Sequence, residues 1–213
     1  MKVVAVSDMH GTLAPVSEII TRERPELLLC AGDWGDESEV SQDDFEKVTA
    51  AVTTFSVFGN HDHLALLQNV TNRDGSPVLL ENGDVRVFRD ITIGGINGIW
   101  AKSHKKSFYV TEEDVASAAA RLSEKRVDIL MTHECPIGMA DLTLFGTHGG
   151  RRCFTGAFKA VRPKLYLCGH LHRKGFYKTR DGSLVVNIGF TKEGDYAVFH
   201  LKNAVVEFES KVI

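Results

Sequence analysis

Short apolar runs rich in Val, Ile and Leu alternate with amphipathic segments along the first half of the chain. A short apolar run is typical of a buried strand, whereas apolar residues spaced three and four apart are typical of a helix. The predicted strands are 3–6, 27–31 and 55–58, and the predicted helices are 15–24, 43–52 and 63–69. Such alternation is typical of a parallel sheet.

The second half of the chain departs from this alternation. Two β-branched runs at 85–88 and 91–95 predict an antiparallel hairpin. Thr111 is a predicted N-cap, with Asp114 in the capping-box position, for an Ala-rich helix that ends near residue 124. The remaining predicted elements are strands at 129–131, 165–168, 184–188, 196–200 and 205–208, and a helix at 154–161. The chain is therefore expected to end in antiparallel strands, and the pattern predicts an α/β fold with a mixed sheet.

Length and composition narrow the class of protein. A chain of 213 residues, 43% hydrophobic and 25% charged, fits one globular domain spanning 1–213. The net charge of −3 gives no electrostatic footprint for nucleic acid or an anionic membrane, so neither is an expected partner. No apolar stretch is long enough to span a bilayer. The four cysteines form no Cys-x-x-Cys pair, and we expect reduced thiols in a cytoplasmic protein.

Metal-ligand residues follow directly after five of the apolar runs. The five segments are Ser7-Asp8-Met9-His10, Gly32-Asp33-Trp34-Gly35-Asp36, Gly59-Asn60-His61-Asp62, Thr132-His133 and Cys168-Gly169-His170-Leu171-His172. In open α/β sheets, ligands bind beyond the carboxyl ends of the strands, so these side chains are expected at one edge. In Asp8-x-His10 and in His170-x-His172, an extended chain would put both side chains on one face.

Seven nitrogen and oxygen ligands are therefore expected to converge. They are Asp8, His10, Asp33, Asn60, His133, His170 and His172. One tetrahedral zinc takes only four ligands, so the set suits two metal ions that share a bridging carboxylate. Because no thiolate is present, we expect two divalent ions, Mn²⁺ first, with Fe, Zn, Co and Ni as alternatives. Such a pair polarises a phosphoryl group and deprotonates a bridging water for in-line attack.

The remaining residues of the motifs have other expected roles. His61 is not needed as a ligand and is expected to protonate the leaving oxygen or to stabilise the charge that develops there. Asp62 is expected to orient His61, and Asp36 to hold the loop after Asp33. The simpler alternative for His61 is that it only caps the helix that begins near residue 63.

The order of these motifs, from Asp8-x-His10 to Gly169-His170-x-His172, resembles the calcineurin-like metallophosphoesterase superfamily. The resemblance implies an α/β (α+β) fold, a four-layer α/β/β/α sandwich with two mixed sheets between helical layers. It also implies that Asp33 bridges the metals and that His61 is the catalytic histidine. One metal would be held by Asp8, His10, Asp33 and His172, and the other by Asn60, His133 and His170.

The long irregular stretch 134–152 is the expected source of substrate choice. Its first residues, in Thr132-His133-Glu134-Cys135-Pro136, resemble the small phosphodiesterase branch, which favours phosphodiesters over monoesters. We predict that His148 and Arg151, or its neighbour Arg152, border the pocket. The expected partner is a small phosphate ester, with nucleotides among the candidates.

Three other functions stay open at this point. The same core serves phosphomonoesterases, including protein phosphatases. A non-catalytic interaction module could keep the fold, although it would have no need for His61. A nuclease is disfavoured by the net charge of −3. The sequence carries no signature of an oligomeric state.

Overall fold

The computed structural model describes residues 1–202 and 205–213. Its strands are β1 (Lys2–Val6), β2 (Leu27–Cys30), β3 (Thr54–Ser56), β4 (Val85–Phe88), β5 (Ile91–Ile96), β6 (Ile99–Trp100), β7 (Tyr109–Val110), β8 (Ile129–Thr132), β9 (Leu165–Cys168), β10 (Gly175–Lys178), β11 (Leu184–Asn187), β12 (Asp195–Lys202) and β13 (Val205–Val212). Its α-helices are α1 (Ala14–Glu23), α2 (Gln42–Ala51), α3 (Leu64–Leu67), α4 (Glu112–Ser123) and α5 (Arg152–Val161).

The strands form two large mixed sheets. The five-stranded sheet has the order β13-β12-β1-β2-β3, in which β1, β2 and β3 are parallel and β12 and β13 are antiparallel. The six-stranded sheet has the order β10-β11-β9-β8-β5-β4, with a parallel centre of four strands and an antiparallel strand at each edge. The short strands β6 and β7 form a separate parallel pair.

Side-chain alternation along the strands produces four layers. Val3 in β1 and Leu167 in β9 point into a core between the two sheets. The neighbouring residue on each strand points to the opposite face. Val4 accordingly packs with residues of α1 and α2, and Tyr166 packs with residues of α4 and α5. The α/β/β/α sandwich with two mixed sheets is therefore confirmed.

Most of the predicted elements are confirmed to within a few residues, and so is the capping box at the start of α4. Thr111 accepts a hydrogen bond from the backbone N–H of Asp114, whose carboxylate accepts one from Thr111 in return. The prediction of antiparallel carboxyl-terminal strands was only partly right, because β11 pairs parallel with β9. The pattern missed β6, β7 and β10. The first two are only two residues long, and β10 is a largely exposed edge strand without apolar alternation.

The carboxyl ends of strands from both sheets meet at one edge. The loop after β1 is joined to the loop after β2 by Asp8 N, which donates to Gly32 O at 3.0 Å. The loop after β9 is joined to the end of β8 by Gly169 N, which donates to His133 O at 2.9 Å. As a result, the segments that carry the predicted ligands lie side by side. In the described part of the chain, no helix has the length and apolar character needed to cross a membrane.

Glu23, at the end of α1, is a buried carboxylate that connects the helix to the first sheet. Its oxygens accept hydrogen bonds from Lys2 Nζ at 2.5 Å, Tyr196 OH at 2.9 Å and Lys211 Nζ at 3.1 Å. Burial alone would raise the pKa of Glu23, but the three donors outweigh it and lower the pKa from 4.5 to about 2. The ionised form therefore stabilises the fold.

We expect Glu23→Gln to lower the free energy of unfolding at pH 7 by about 1.5–3 kcal/mol, the usual range for hydrogen bonds to a charged group. Because the folded pKa is depressed, the wild-type advantage is complete above pH 4.5 and is lost as pH falls towards about 2. Urea denaturation at pH 7, 3.5 and 2.5 measures it. Glu18→Gln is the matched control, since that exposed α1 glutamate pairs with Arg22 and with no other cation among the described residues. An equal deficit at all three pH values would contradict this account.

Candidate metal centre

Asp8 connects the two sheets at the site. Its carboxylate accepts hydrogen bonds from Ser7 Oγ at 2.5 Å and from the backbone N–H of His170 at 3.0 Å. The approach is so close that a Cβ on Gly169 would overlap both Ser7 Oγ and Asp8 Oδ2. Glycine in the Gly-His-x-His motif is therefore explained by the contact between the β1 and β9 loops rather than by the ligands themselves.

The backbone at the predicted ligands is left-handed, which corrects one expectation. Asp8 and His10 have φ of 59° and 45°, and His170 and His172 have φ of 69° and 50°. Neither Asp8-x-His10 nor His170-x-His172 is therefore the extended chain that would put both side chains on one face. Asp33, with φ of 61°, is the fifth predicted ligand among nine left-handed non-glycine residues in the described part of the chain. This conformation is unfavourable for non-glycine residues, and its concentration here is typical of a functional site.

One group of ligand atoms consists of Asp8, His10 and His172, which lie within 4.8 Å of one another. His172 Nε2 is 3.2 Å from Asp8 Oδ1 and 3.1 Å from His10 Nε2. The ring of His172 stacks on Phe190, with centroids 4.2 Å apart, which fixes its orientation. Phe190 was not predicted, since nothing in the sequence distinguishes it from an ordinary core residue.

A second group consists of Asp8, Asp33 and His133. Asp33 Oδ2 is 3.3 Å from His133 Nε2 and 3.7 Å from His10 Nε2, so this oxygen lies between the two groups. His133 Nδ1 donates to Ala31 O at 2.7 Å, which directs Nε2 towards the site. His133 Nε2 also lies 3.2 Å from His170 Nδ1. The bridging role of Asp33 stays a prediction.

Asn60 gives a direct test of whether these residues suit a metal. Its Oδ1 is buried without a hydrogen-bond partner among the described residues. A buried polar atom without a partner is costly unless something else binds it. Imidazole nitrogens also face each other in two pairs, His10 with His172 and His133 with His170. Each pair needs a proton or a cation between its nitrogens, so the donor set fits bound metal ions.

The charges of the site lead to the same conclusion. Burial would raise the pKa of Asp33, but His133, the backbone N–H of His61 and His10 hold it below its usual range. Burial would lower the pKa of His133, but the Asp33 carboxylate outweighs it and raises the pKa to about 10. Burial and then the charge of His133 lower the pKa of His170 to about 4. The carboxylates thus attract positive charge to this position, as either a proton or a metal ion.

His61 lies at the rim of the site, and its partner corrects the sequence interpretation. His61 Nδ1 donates to Asp36 Oδ2 at 3.0 Å, and its ring centroid is 4.9 Å from that of His10. Asp62 does not contact the ring. Its carboxylate accepts N–H groups from Asp33, Trp34 and Gly59 at 2.7–2.8 Å. The orienting role predicted for Asp62 therefore belongs to Asp36, and Asp62 holds the loops together. Helix α3 begins after His63, and no side chain caps it.

The two residues predicted to border the substrate pocket lie in the loop 134–152. Arg151 Nε donates to Glu134 Oε1 at 3.0 Å, and Glu134 Oε1 is 4.0 Å from His170 Nε2. His148 Nδ1 donates to Asp141 Oδ1 at 2.7 Å. Arg151 is thus separated from the predicted ligand His170 by the Glu134 side chain alone.

His148 faces a cleft of about 350 Å³, and its side chain is bound to Asp141 rather than to a predicted ligand. The cleft is lined by Gly138, Ala140, Asp141, Leu142, His148, Arg173, Lys174, Gly175, Phe176 and Tyr177. Sequence reasoning missed Glu134 and Asp141, the buried acids that hold Arg151 and His148. The only sequence signal for Glu134 was its position directly after the predicted ligand His133.

Comparison with known proteins gives a family and one curated relative. Residues 1–174 match the family model described as calcineurin-like phosphoesterase. The UPF0046 protein T07D4.2 of Caenorhabditis elegans is 35% identical over 88 residues, which are 40% of this chain and 21% of that protein. The match therefore covers about a fifth of the relative's length.

Solved structures resemble the whole chain. TT1561 of Thermus thermophilus has a TM-score of 0.71 at 17% identity, with 98% of each chain covered. GAP50, the anchor in the inner membrane complex of Plasmodium, has a TM-score of 0.65 at 12% identity, covering 100% of this chain and 84% of that one. A dimetal phosphatase from Danio rerio has a TM-score of 0.60 at 11% identity, covering 100% and 96%. At these identities the likeness concerns the fold.

Proposed function

Since the chain belongs to the calcineurin-like phosphoesterase family, we propose that it is a metal-dependent phosphoesterase that hydrolyses phosphodiesters in preference to monoesters. The observation that carries the proposal is the arrangement at the shared strand edge. Two groups of ligand atoms meet around Asp8 and Asp33, and a separate histidine, His61, stands at their rim. An interaction module would need neither feature.

We assign the metal ligands as the family resemblance implies, and the contacts at the site support this set of residues. Asp8, His10, Asp33 and His172 would hold one ion, and Asn60, His133 and His170, together with Asp33, would hold the other. Two divalent ions at this place would polarise the phosphoryl group and lower the pKa of a bound water. Because the donors are imidazoles, carboxylates and an amide oxygen, we propose Mn²⁺ as the first ion to test.

The protein's own contribution is to position the ester and to handle a proton. His61 donates from Nδ1 to Asp36, so its Nε2 is directed away from that carboxylate. In its doubly protonated form the ring also carries a proton on Nε2, and from there it can protonate the leaving oxygen or stabilise its charge. Asp36 fixes the tautomer by accepting the Nδ1 proton, and is therefore a positioning residue.

Support for diesters comes from the loop after His133. The segment Thr132-His133-Glu134-Cys135-Pro136 resembles the small phosphodiesterase branch. The structurally similar Danio rerio protein is a dimetal phosphatase, so monoesters are the competing substrate class.

Hydrolysis of bis(p-nitrophenyl) phosphate tests the proposal against p-nitrophenyl phosphate. With Mn²⁺ we expect kcat/KM for the diester to exceed that for the monoester, and we expect EDTA to abolish both. The protein dialysed against EDTA and resupplied with Mn²⁺ is the control for irreversible damage. Turnover of the monoester alone would replace the diester assignment, and no turnover of either ester would contradict phosphoesterase activity.

A further inference from the structure

Two basic side chains in the loop 134–152 are each held by a buried carboxylate of the same loop. Asp141 holds His148, and Glu134 holds Arg151. Asp141 and Glu134 are 1% and 2% exposed, whereas the side chains of His148 and Arg151 are 57% and 45% exposed. The acids are thus hidden, while the basic groups reach solvent.

The guanidinium of Arg151 is fixed on two sides. Nε donates to Glu134 Oε1 at 3.0 Å, and Cζ lies 5.3 Å from the ring centroid of Trp100. Glu134 is itself fixed, because its Oε2 accepts the backbone N–H of Trp100 at 2.5 Å. In the described part of the chain, the one hydrogen bond of this side chain is made by Nε, so its two terminal amino groups remain free to donate. These groups form a planar pair of donors, the geometry that recognises a carboxylate or a phosphate.

The backbone on either side of Arg151 is also fixed. Arg151 N donates to Cys135 O at 2.9 Å, and Arg151 O accepts from Ile137 N at 3.2 Å. Gly150 lies so close to Cys135 and Ile137 that a Cβ would be 2.8 Å from their backbone atoms. Little conformational entropy remains to be lost when Arg151 binds a ligand, so the donors are preorganised.

Arg151 lies next to the proposed metal centre but not within it. Glu134 Oε1 is 4.0 Å from His170 Nε2, and His170 Nδ1 faces His133 Nε2 at 3.2 Å. Glu134 therefore separates the guanidinium from His170. In two-metal sites the oxygens of the reacting phosphate lie on the metals. Because Glu134 stands between Arg151 and His170, we expect the free donors of Arg151 to reach a part of the substrate other than the reacting phosphate.

We propose that Arg151 is a specificity residue that binds a second anionic group, a carboxylate or a phosphate, on the substrate of the proposed phosphoesterase. The substrate class would be phosphate esters that carry such a group near the reacting phosphate. This inference rests on the proposed function for its substrate. Its recognition step is measured by binding, which does not require turnover.

Isothermal titration calorimetry of the Mn²⁺-loaded protein tests the proposal with two matched pairs of ligands. Phosphonoacetate is compared with ethylphosphonate, and phosphonopropionate with propylphosphonate, after subtraction of titrations into Mn²⁺ buffer. We expect at least one carboxylated ligand to bind about tenfold more tightly than its partner, as a charge-assisted hydrogen-bonded pair provides. Arg151→Met should remove this preference and leave the affinity for the alkylphosphonates within about twofold.

Arg152→Met is the matched control, because it removes the same charge from the adjacent exposed residue. It should keep the preference. Since Arg151→Met leaves Glu134 buried without its cation, the double variant Glu134→Gln/Arg151→Met provides a neutral pair and should also lose the preference. No preference in the wild type, or an equal loss in the Arg152 variant, would overturn the proposal. Failure of ester hydrolysis with the preference intact would instead count against the proposed function alone.

Discussion

His61→Ala is expected to lower kcat for bis(p-nitrophenyl) phosphate by about 10²–10⁴-fold, the usual contribution of a general acid or base. His61 lies at the rim, 4.9 Å between ring centroids from His10, and its Nδ1 is bound to Asp36. Because we assign His61 no place among the metal ligands, the variant should bind Mn²⁺ as the wild type does. Steady-state kinetics and metal content after dialysis measure the two properties separately.

A matched control is His104→Ala. His104 is another exposed histidine paired with an aspartate, since its Nε2 lies 2.5 Å from Asp114 Oδ2. It is far from the motifs in sequence and should change kcat by less than about twofold. If His61→Ala lost Mn²⁺ together with activity, His61 would have to be a ligand. An unchanged kcat would show that its role is confined to the Asp36 contact.

The convergence of the predicted ligands could be foreseen because each follows an apolar run that ends at the shared edge of the sheets. Asp8, Asp33 and Asn60 follow strands of one sheet, and His133 and His170 follow strands of the other. A strand end is a local property of the sequence. The pattern alone predicted only one mixed sheet, and the four-layer arrangement came from the family resemblance. Local periodicity does not determine which distant strands pair with each other.

The partners of these side chains were not predictable in the same way. Asp36 rather than Asp62 meets the His61 ring, because the backbone N–H groups of Asp33, Trp34 and Gly59 attract the Asp62 carboxylate. Its position next to His61 in the sequence suggested that Asp62 orients the ring. A carboxylate instead binds where several otherwise unpaired N–H donors converge.

The loop 134–152 shows the same limit. Arg151 was predicted at the pocket on the ground that loops of this length are often functional. Arg151 reaches Glu134 because the backbone pairing of Pro136 with Arg151 brings the two ends of the loop together. The chemistry of such a loop depends on which acidic side chain contacts which basic one. Those contacts are set by the folded backbone and not by local sequence.

Asp33→Asn is expected to abolish both turnover and the stabilisation of the fold by Mn²⁺. Asp33 Oδ2 lies between His133 and His10, so the substitution removes the negative charge from the position that attracts the cations. A metal that binds only the folded protein stabilises it by about 2.7 kcal/mol at a hundredfold excess over its Kd, which for a chain of this size raises Tm by several degrees. Thermal denaturation with and without Mn²⁺ measures the shift, and elemental analysis measures bound metal.

Asp36→Asn separates loss of metal from loss of catalysis. The same substitution is made three residues further on, at a carboxylate that contacts His61 and no predicted ligand. We expect Asp36→Asn to keep the full Mn²⁺-dependent rise in Tm while kcat falls, because an amide no longer holds the His61 tautomer as a carboxylate does. Asp33→Asn should lose both properties. A full Mn²⁺-dependent rise in Asp33→Asn would contradict the central position that we assign to Asp33, because the remaining carboxylate, Asp8, would then suffice to hold the cations.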